Sequence, residues 1–158
     1  MNRSTTLALG TIILFYAGVA SSAGAQTLAE KVVGTWTLEA GSENYPDGRK
    51  LQSWATGNLI FDPTGHFSQF LIGKERPKTS TSVRTPVGPG VAFYGMYTVD
   101  EATGTLTLKV ESGVTPVFDG TTRQVKASIK GDILTATSPE TVTPEGPMIP
   151  VNEWKRVK

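Results

Sequence analysis

A chain of 158 residues with 38% hydrophobic and 18% charged side chains has the size and apolar content of one ordinary folded domain. Its 15 Lys and Arg nearly cancel its 14 Asp and Glu, so no basic excess is available to grip nucleic acid. Cysteine is absent and His66 is the single histidine, which excludes disulfides, thiolate metal sites, cysteine nucleophiles and a histidine metal cage.

The chain opens with an export signature. Arg3 is the only charge before Glu30, residues 7–20 form a 14-residue apolar run, and Ala23-Gly24-Ala25 supplies an A-x-A cleavage site. A membrane-spanning helix needs about 20 apolar residues, so this run is short for one. The expectation is a cleaved signal peptide over 1–25 and a folded domain over 26–158. The product would be secreted or periplasmic, with no stable membrane insertion after cleavage. An uncleaved anchor is the alternative. In an oxidising compartment a domain without cysteine must be held by core packing alone.

Beyond residue 26 the pattern is one of strands and turns. Seventeen Gly and ten Pro are more than a helical bundle tolerates, because both weaken helix interiors. A polar segment at 28–31 has room for one helical turn. Period-two alternation then marks strands at 33–40, 57–62, 66–72, 93–99, 105–111, 121–130, 133–138 and 149–157. Three turns set the register. Asp62-Pro63-Thr64-Gly65 puts Phe61 opposite Phe67 and Leu59 opposite Gln69. Glu101-Ala102-Thr103-Gly104 puts Val99 opposite Leu106 and Tyr97 opposite Leu108. Gly131-Asp132 puts Ile129 opposite Leu134 and Ala127 opposite Ala136. All three gather apolar residues on one face, which argues for a meander. A single all-β domain follows: an eight-stranded antiparallel up-and-down barrel, with a two-sheet sandwich as the alternative.

The inward face would carry Trp36, Leu38, Leu59, Phe61, Phe67, Gln69, Leu71, Phe93, Tyr97, Val99, Leu106, Leu108, Val125, Ile129 and Leu134, with Gly57, Gly95, Ala127 and Ala136 leaving room. Small barrels are either filled by side chains or hold one small ligand. Three longer connections have no period: 41–56 with Trp54, 73–92 with a local charge of +3, and the acidic, Pro-rich 138–147. Trp54 suits a plug at one barrel end better than a binding hot spot. The 73–92 segment is either a lid or a solvated loop. His66 falls on the outward face at a strand start, where a Ser–His–Asp triad has no place to form. No phosphate-binding glycine loop or EF-hand loop occurs, so no cofactor is expected.

The motifs of the chain resemble those of the bacterial and fungal lipocalin-like domain family. They are Gly34-Thr35-Trp36, the run from Gly57 through Asp62-Pro63-Thr64-Gly65 to Ser68, Phe93-Tyr94-Gly95-Met96-Tyr97-Thr98-Val99-Asp100, Gly120-Thr121-Thr122, Gly131-Asp132-Ile133-Leu134-Thr135 and Trp154-Lys155-Arg156-Val157. The chain departs from the pattern at Leu108 and Lys109, where members often carry His, and before Phe93, where members often have a short helix. The resemblance implies a barrel with a central cavity and no particular activity. It also suggests that Arg156 packs across the Trp36 ring. Holding a ligand carboxylate or standing in solvent are its other options.

The functional expectation is an exported barrel that binds a small, largely apolar molecule through Trp36, Leu38, Phe61, Phe67, Gln69, Phe93, Tyr97, Leu108 and Arg156. An isomerase or cyclase using the same cavity is one alternative, and a structural barrel with a filled core is another.

Overall fold

The structure, a computed structural model, describes residues 26–52, 54–76 and 88–158. The signal peptide expected at 1–25 and residues 77–87 of the connection expected to be a lid or a solvated loop lie outside the described residues.

The described chain begins with one short helix, α1 (Leu28–Val32). Thr27 and Glu30 form a reciprocal capping box. The Glu101 carboxylate accepts hydrogen bonds from the Leu28 and Ala29 amides at 2.8 and 2.7 Å. The two bonds tie the helix to the hairpin turn at 101–104, at sequence separations of 73 and 72 residues.

Ten strands follow among the described residues: β1 (Gly34–Asn44), β2 (Lys50–Leu51), β3 (Trp54–Phe61), β4 (His66–Gly73), β5 (Gly90–Asp100), β6 (Thr105–Gly113), β7 (Thr122–Lys130), β8 (Ile133–Thr137), β9 (Thr141–Thr143) and β10 (Gly146–Arg156). Eight of them pair in the order β1-β3-β4-β5-β6-β7-β8-β10, and β10 returns to β1. The result is a closed, all-antiparallel eight-stranded barrel, and the sandwich alternative falls. The short strands β2 and β9 extend the ladders of β1 and β10 outside the ring.

All three predicted turn registers hold. Phe61 faces Phe67, Tyr97 faces Leu108 and Ala127 faces Ala136. Gly65, Gly104 and Gly131 take left-handed φ values of 93°, 62° and 58°, the conformation that makes each turn close in so few residues.

Several boundaries differ from the sequence reading: β3 begins at Trp54 rather than 57, and the short β2 lies within the expected 41–56 loop. β1 runs on to Asn44 because a bulge after Leu38 lets it keep pairing with β10. β5 begins at Gly90, where it pairs with Ile72. The connection at 138–147 holds a hairpin, with β9 paired to the start of β10 across a turn at 144–145. The room expected at Gly57 and Gly95 is also missing. A Cβ on Gly57 would stand 2.8 Å from Leu71 Cδ2, and one on Gly95 would stand 2.0 Å from the Lys109 carbonyl. Gly95 sits beside a register shift between β5 and β6, so the missing side chain admits backbone rather than ligand.

On the closing strand, Trp154 takes the inward position opposite Leu38 and Leu134 and is 1% exposed. Ile149 and Val157, of the opposite parity, are 41% and 48% exposed, and Val151 is half-buried. The two ends of the barrel now differ. The turns at 62–65, 101–104 and 131–132, with α1, close one end. The longer connections gather at the other.

Candidate binding cavity at the open end

The closed end is packed. Trp36, Trp154, Phe61, Leu106, Leu134 and Val32 are its largest fully buried side chains. The Trp36 indole donates to the Val32 carbonyl at 2.9 Å. Arg156 lies over the Trp36 ring with its guanidinium carbon 4.1 Å from the ring centroid. It donates to the Val33 carbonyl at 2.9 Å and to the Lys31 carbonyl. Gly34 makes this possible: a Cβ there would meet Arg156 Nη1 at 2.9 Å. Tyr97 donates its hydroxyl to the Asp62 carbonyl at 3.0 Å, and burial pushes its pKa up. Neither polar head is turned toward a ligand.

An aromatic series runs from this end to the other. Tyr97 meets Phe61 edge-on at 4.8 Å, Phe61 lies 6.4 Å from Phe67, Phe67 meets Phe93 at 6.0 Å, and Phe93 lies 5.4 Å from Phe118. Beyond Phe93 the packing stops and a cavity of about 150 Å³ opens. Its apolar wall includes Leu71, Val91, Phe93, Leu108, Phe118 and Val125, and Trp54 and Met148 border it. Gln69, Arg123, Asn152, Ser138 and Glu43 supply polar groups. An apolar chamber with a few fixed polar groups is the usual form of a small-molecule site.

Local structure places these side chains. Trp54 opens β3 across from Gly73, and Gly41 on β1 leaves it space, since a Cβ there would stand 3.1 Å from the indole. The indole thus packs on the core at a barrel end, as expected of it, and also walls the cavity. Phe118 ends a single 3-10 turn (Pro116–Phe118) in the β6–β7 connection. Asp119 accepts from the Gly113 amide at 2.9 Å and Thr121 donates to the Phe118 carbonyl at 2.7 Å, which folds the connection inward.

Of the nine residues proposed from sequence, Gln69, Phe93 and Leu108 line this cavity. Trp36, Leu38, Phe61, Phe67 and Tyr97 belong to the packed core or lie against it, and Arg156 is occupied at the closed end. Sequence reasoning missed Phe118, Asn152 and Arg123. Phe118 sits in a segment without period. Asn152 and Arg123 share parity with Trp154 and Val125, a signal that polarity masked.

Arg123 pairs with Leu108 on β6 and faces inward beside Val125. Its guanidinium carbon stands 5.0 Å from the Phe118 ring centroid. Burial pushes its pKa below the ordinary arginine value. Asn152 is 7% exposed, and its Oδ1 has no hydrogen-bond partner. A second, larger cleft of about 530 Å³ lies over β1, β2 and β10, lined by Ala40, Ser42, Lys50, Gln52 and Glu153 among others. It lies away from the aromatic series, and among its lining residues Asn44 holds a buried amide oxygen without a hydrogen-bond partner.

Among the described residues, no three His, Cys, Asp or Glu gather as metal ligands would, and no helix is long and apolar enough to cross a membrane. No protein-family model matches the chain, and no curated protein matches it.

Proposed function

We propose that this barrel binds a small, largely apolar molecule in the open-end cavity, as a lipocalin-like domain exported by the segment at 1–25. The observation that carries the reading is the interruption of an otherwise filled interior. One half of the barrel is packed to the centre, and the other keeps about 150 Å³ behind Phe93, Leu108 and Val125. An apolar cavity of about this size accepts one aromatic ring. The motif order set out above supports the lipocalin-like reading, and the A-x-A site supports export.

Titration with toluene, followed by methyl NMR, tests the cavity. Saturable shifts confined to Leu71, Val91, Leu108 and Val125 are expected. Shifts spread over Leu59, Leu106 and Leu134, or none, count against it. The mature N-terminus, read by intact mass after expression in an exporting host, is expected at Gln26.

A further inference from the structure

The cavity holds a cation that the fold does not neutralise. Arg123 forms no ion pair or hydrogen bond with a described residue, and its aromatic contact with Phe118 supplies no acceptor for its five N–H donors. The remaining sequence cannot supply a side-chain counter-ion either, because 1–25, 53 and 77–87 contain no Asp or Glu. Glu43, the carboxylate of the same cavity, pairs with Leu51 and Pro150 near the outer end of β1, more than 4 Å from the guanidinium. A charge taken partly out of water and left unpaired is costly. Arg156 makes the contrast plain: at the closed end the same residue type stacks on Trp36 and is satisfied by two carbonyls.

From this we infer that the ligand is a small carboxylic acid, its carboxylate held by the Arg123 fork and its apolar body, about one ring in size, lying against Phe93, Leu108 and Val125. The inference rests on the ligand-binding reading above and narrows its ligand class. A planar guanidinium meets a carboxylate through two parallel hydrogen bonds, and a low-dielectric wall strengthens them. Asn152 stands in the same lining with an unpartnered amide oxygen. Turning its amide by half a rotation presents Nδ2 instead, so it can donate to a carboxylate or accept from a hydroxyl.

Toluene and benzoate, similar in shape and different in charge, separate the two readings when titrated into the protein. Benzoate is expected to bind at least tenfold more tightly than toluene, with an affinity that falls as salt is raised. Arg123→Gln should remove that advantage, read as the ratio of the benzoate and toluene affinities in the same variant. Arg123→Lys keeps the charge without the fork and should retain part of the advantage, which keeps the test usable if Arg123→Gln does not fold. Toluene binding with no preference for benzoate overturns the carboxylate inference and leaves the apolar cavity standing. Binding of neither compound overturns both. A benzoate preference that survives Arg123→Gln overturns the assignment to Arg123.

Discussion

The two ends of one barrel put the same residue types to opposite uses. At the closed end Arg156, Tyr97 and Trp36 each spend their polar groups on backbone carbonyls, and Trp36, Trp154, Phe61, Leu106 and Leu134 are fully buried in the interior. At the open end Asn152 keeps a buried amide oxygen without a partner, the half-buried Arg123 has no ion pair or hydrogen bond with a described residue, and the space is left. Turn length decides which end is which. A turn of two to four residues brings strand ends together and allows side chains to meet across the axis. A connection of eight or more holds the rim apart. The lesson is that an inward aromatic on a small barrel is not by itself a ligand contact; its distance from the short-turn end matters as much as its parity.

The sharpest way to break this comparison is truncation. Phe67→Ala at the packed end should destabilise by about 3–5 kcal/mol, measured by denaturant unfolding. A loss near 1 kcal/mol would mean that the closed end is not filled. A finer version uses two leucines on the same face of β6. Leu106 is 1% exposed and packed, while Leu108 borders the cavity. Leu106→Ala should fall near the upper part of the range of about 2–5 kcal/mol for such changes and Leu108→Ala near the lower. Equal costs would erase the difference between the ends.

Arg156→Lys should cost about 1–3 kcal/mol, because it loses the planar stack and one of two carbonyl bonds. Thermal unfolding and Trp fluorescence should both change, with toluene binding unchanged. A binding defect would move Arg156 into the site.

The smallest effect is one of pH. Each closed-end turn carries an Asp whose carboxyl is held below its ordinary value. Thr64 bonds lower Asp62, Thr103 bonds lower Asp100, and Lys158 lowers Asp132. A depressed carboxylate contributes stability above its unfolded value of 3.8 and loses it as pH falls through the lower folded value. Amide protection at 62–65, 101–104 and 131–132, taken relative to the intrinsic exchange rate at each pH, should therefore fall below about pH 4. At the open end Asp47, lowered by Arg49, should loosen the turn before β2 in the same range. Acid that frees only the Asp47 turn would contradict the assignment of these charges to the closed end.

Legibility followed the same division. The closed end could be read because Gly65, Gly104 and Gly131 fix tight turns, and a tight turn fixes every pair behind it. The open end could not, because its geometry comes from contacts with no local signature. The bulge after Leu38 extends β1 through Gly41-Ser42-Glu43-Asn44, which reads as a loop. Phe118 reaches the interior through hydrogen bonds of Asp119 and Thr121. Gly95 looked like spare volume, and only the approach of the Lys109 carbonyl shows what it is for. Arg123 lay in plain sight two residues before Val125, yet a charge at a strand start reads as solvated until its partners are known to be missing.

The seam between β1 and β10 carries a kinetic consequence. Every other ladder of the ring joins strands that are neighbours along the chain, apart from the short β2 and β9. The seam joins positions as far apart as Val33 and Arg156, 123 residues along the chain. Closing so long a loop costs entropy that nearby hairpins do not face, so the seam is expected to form after them. Interactions made after the rate-limiting barrier slow unfolding without speeding folding. The Arg156 clamp across Trp36 is then a brake on opening: Arg156→Lys should raise the unfolding rate and leave the refolding rate unchanged, a φ-value near zero.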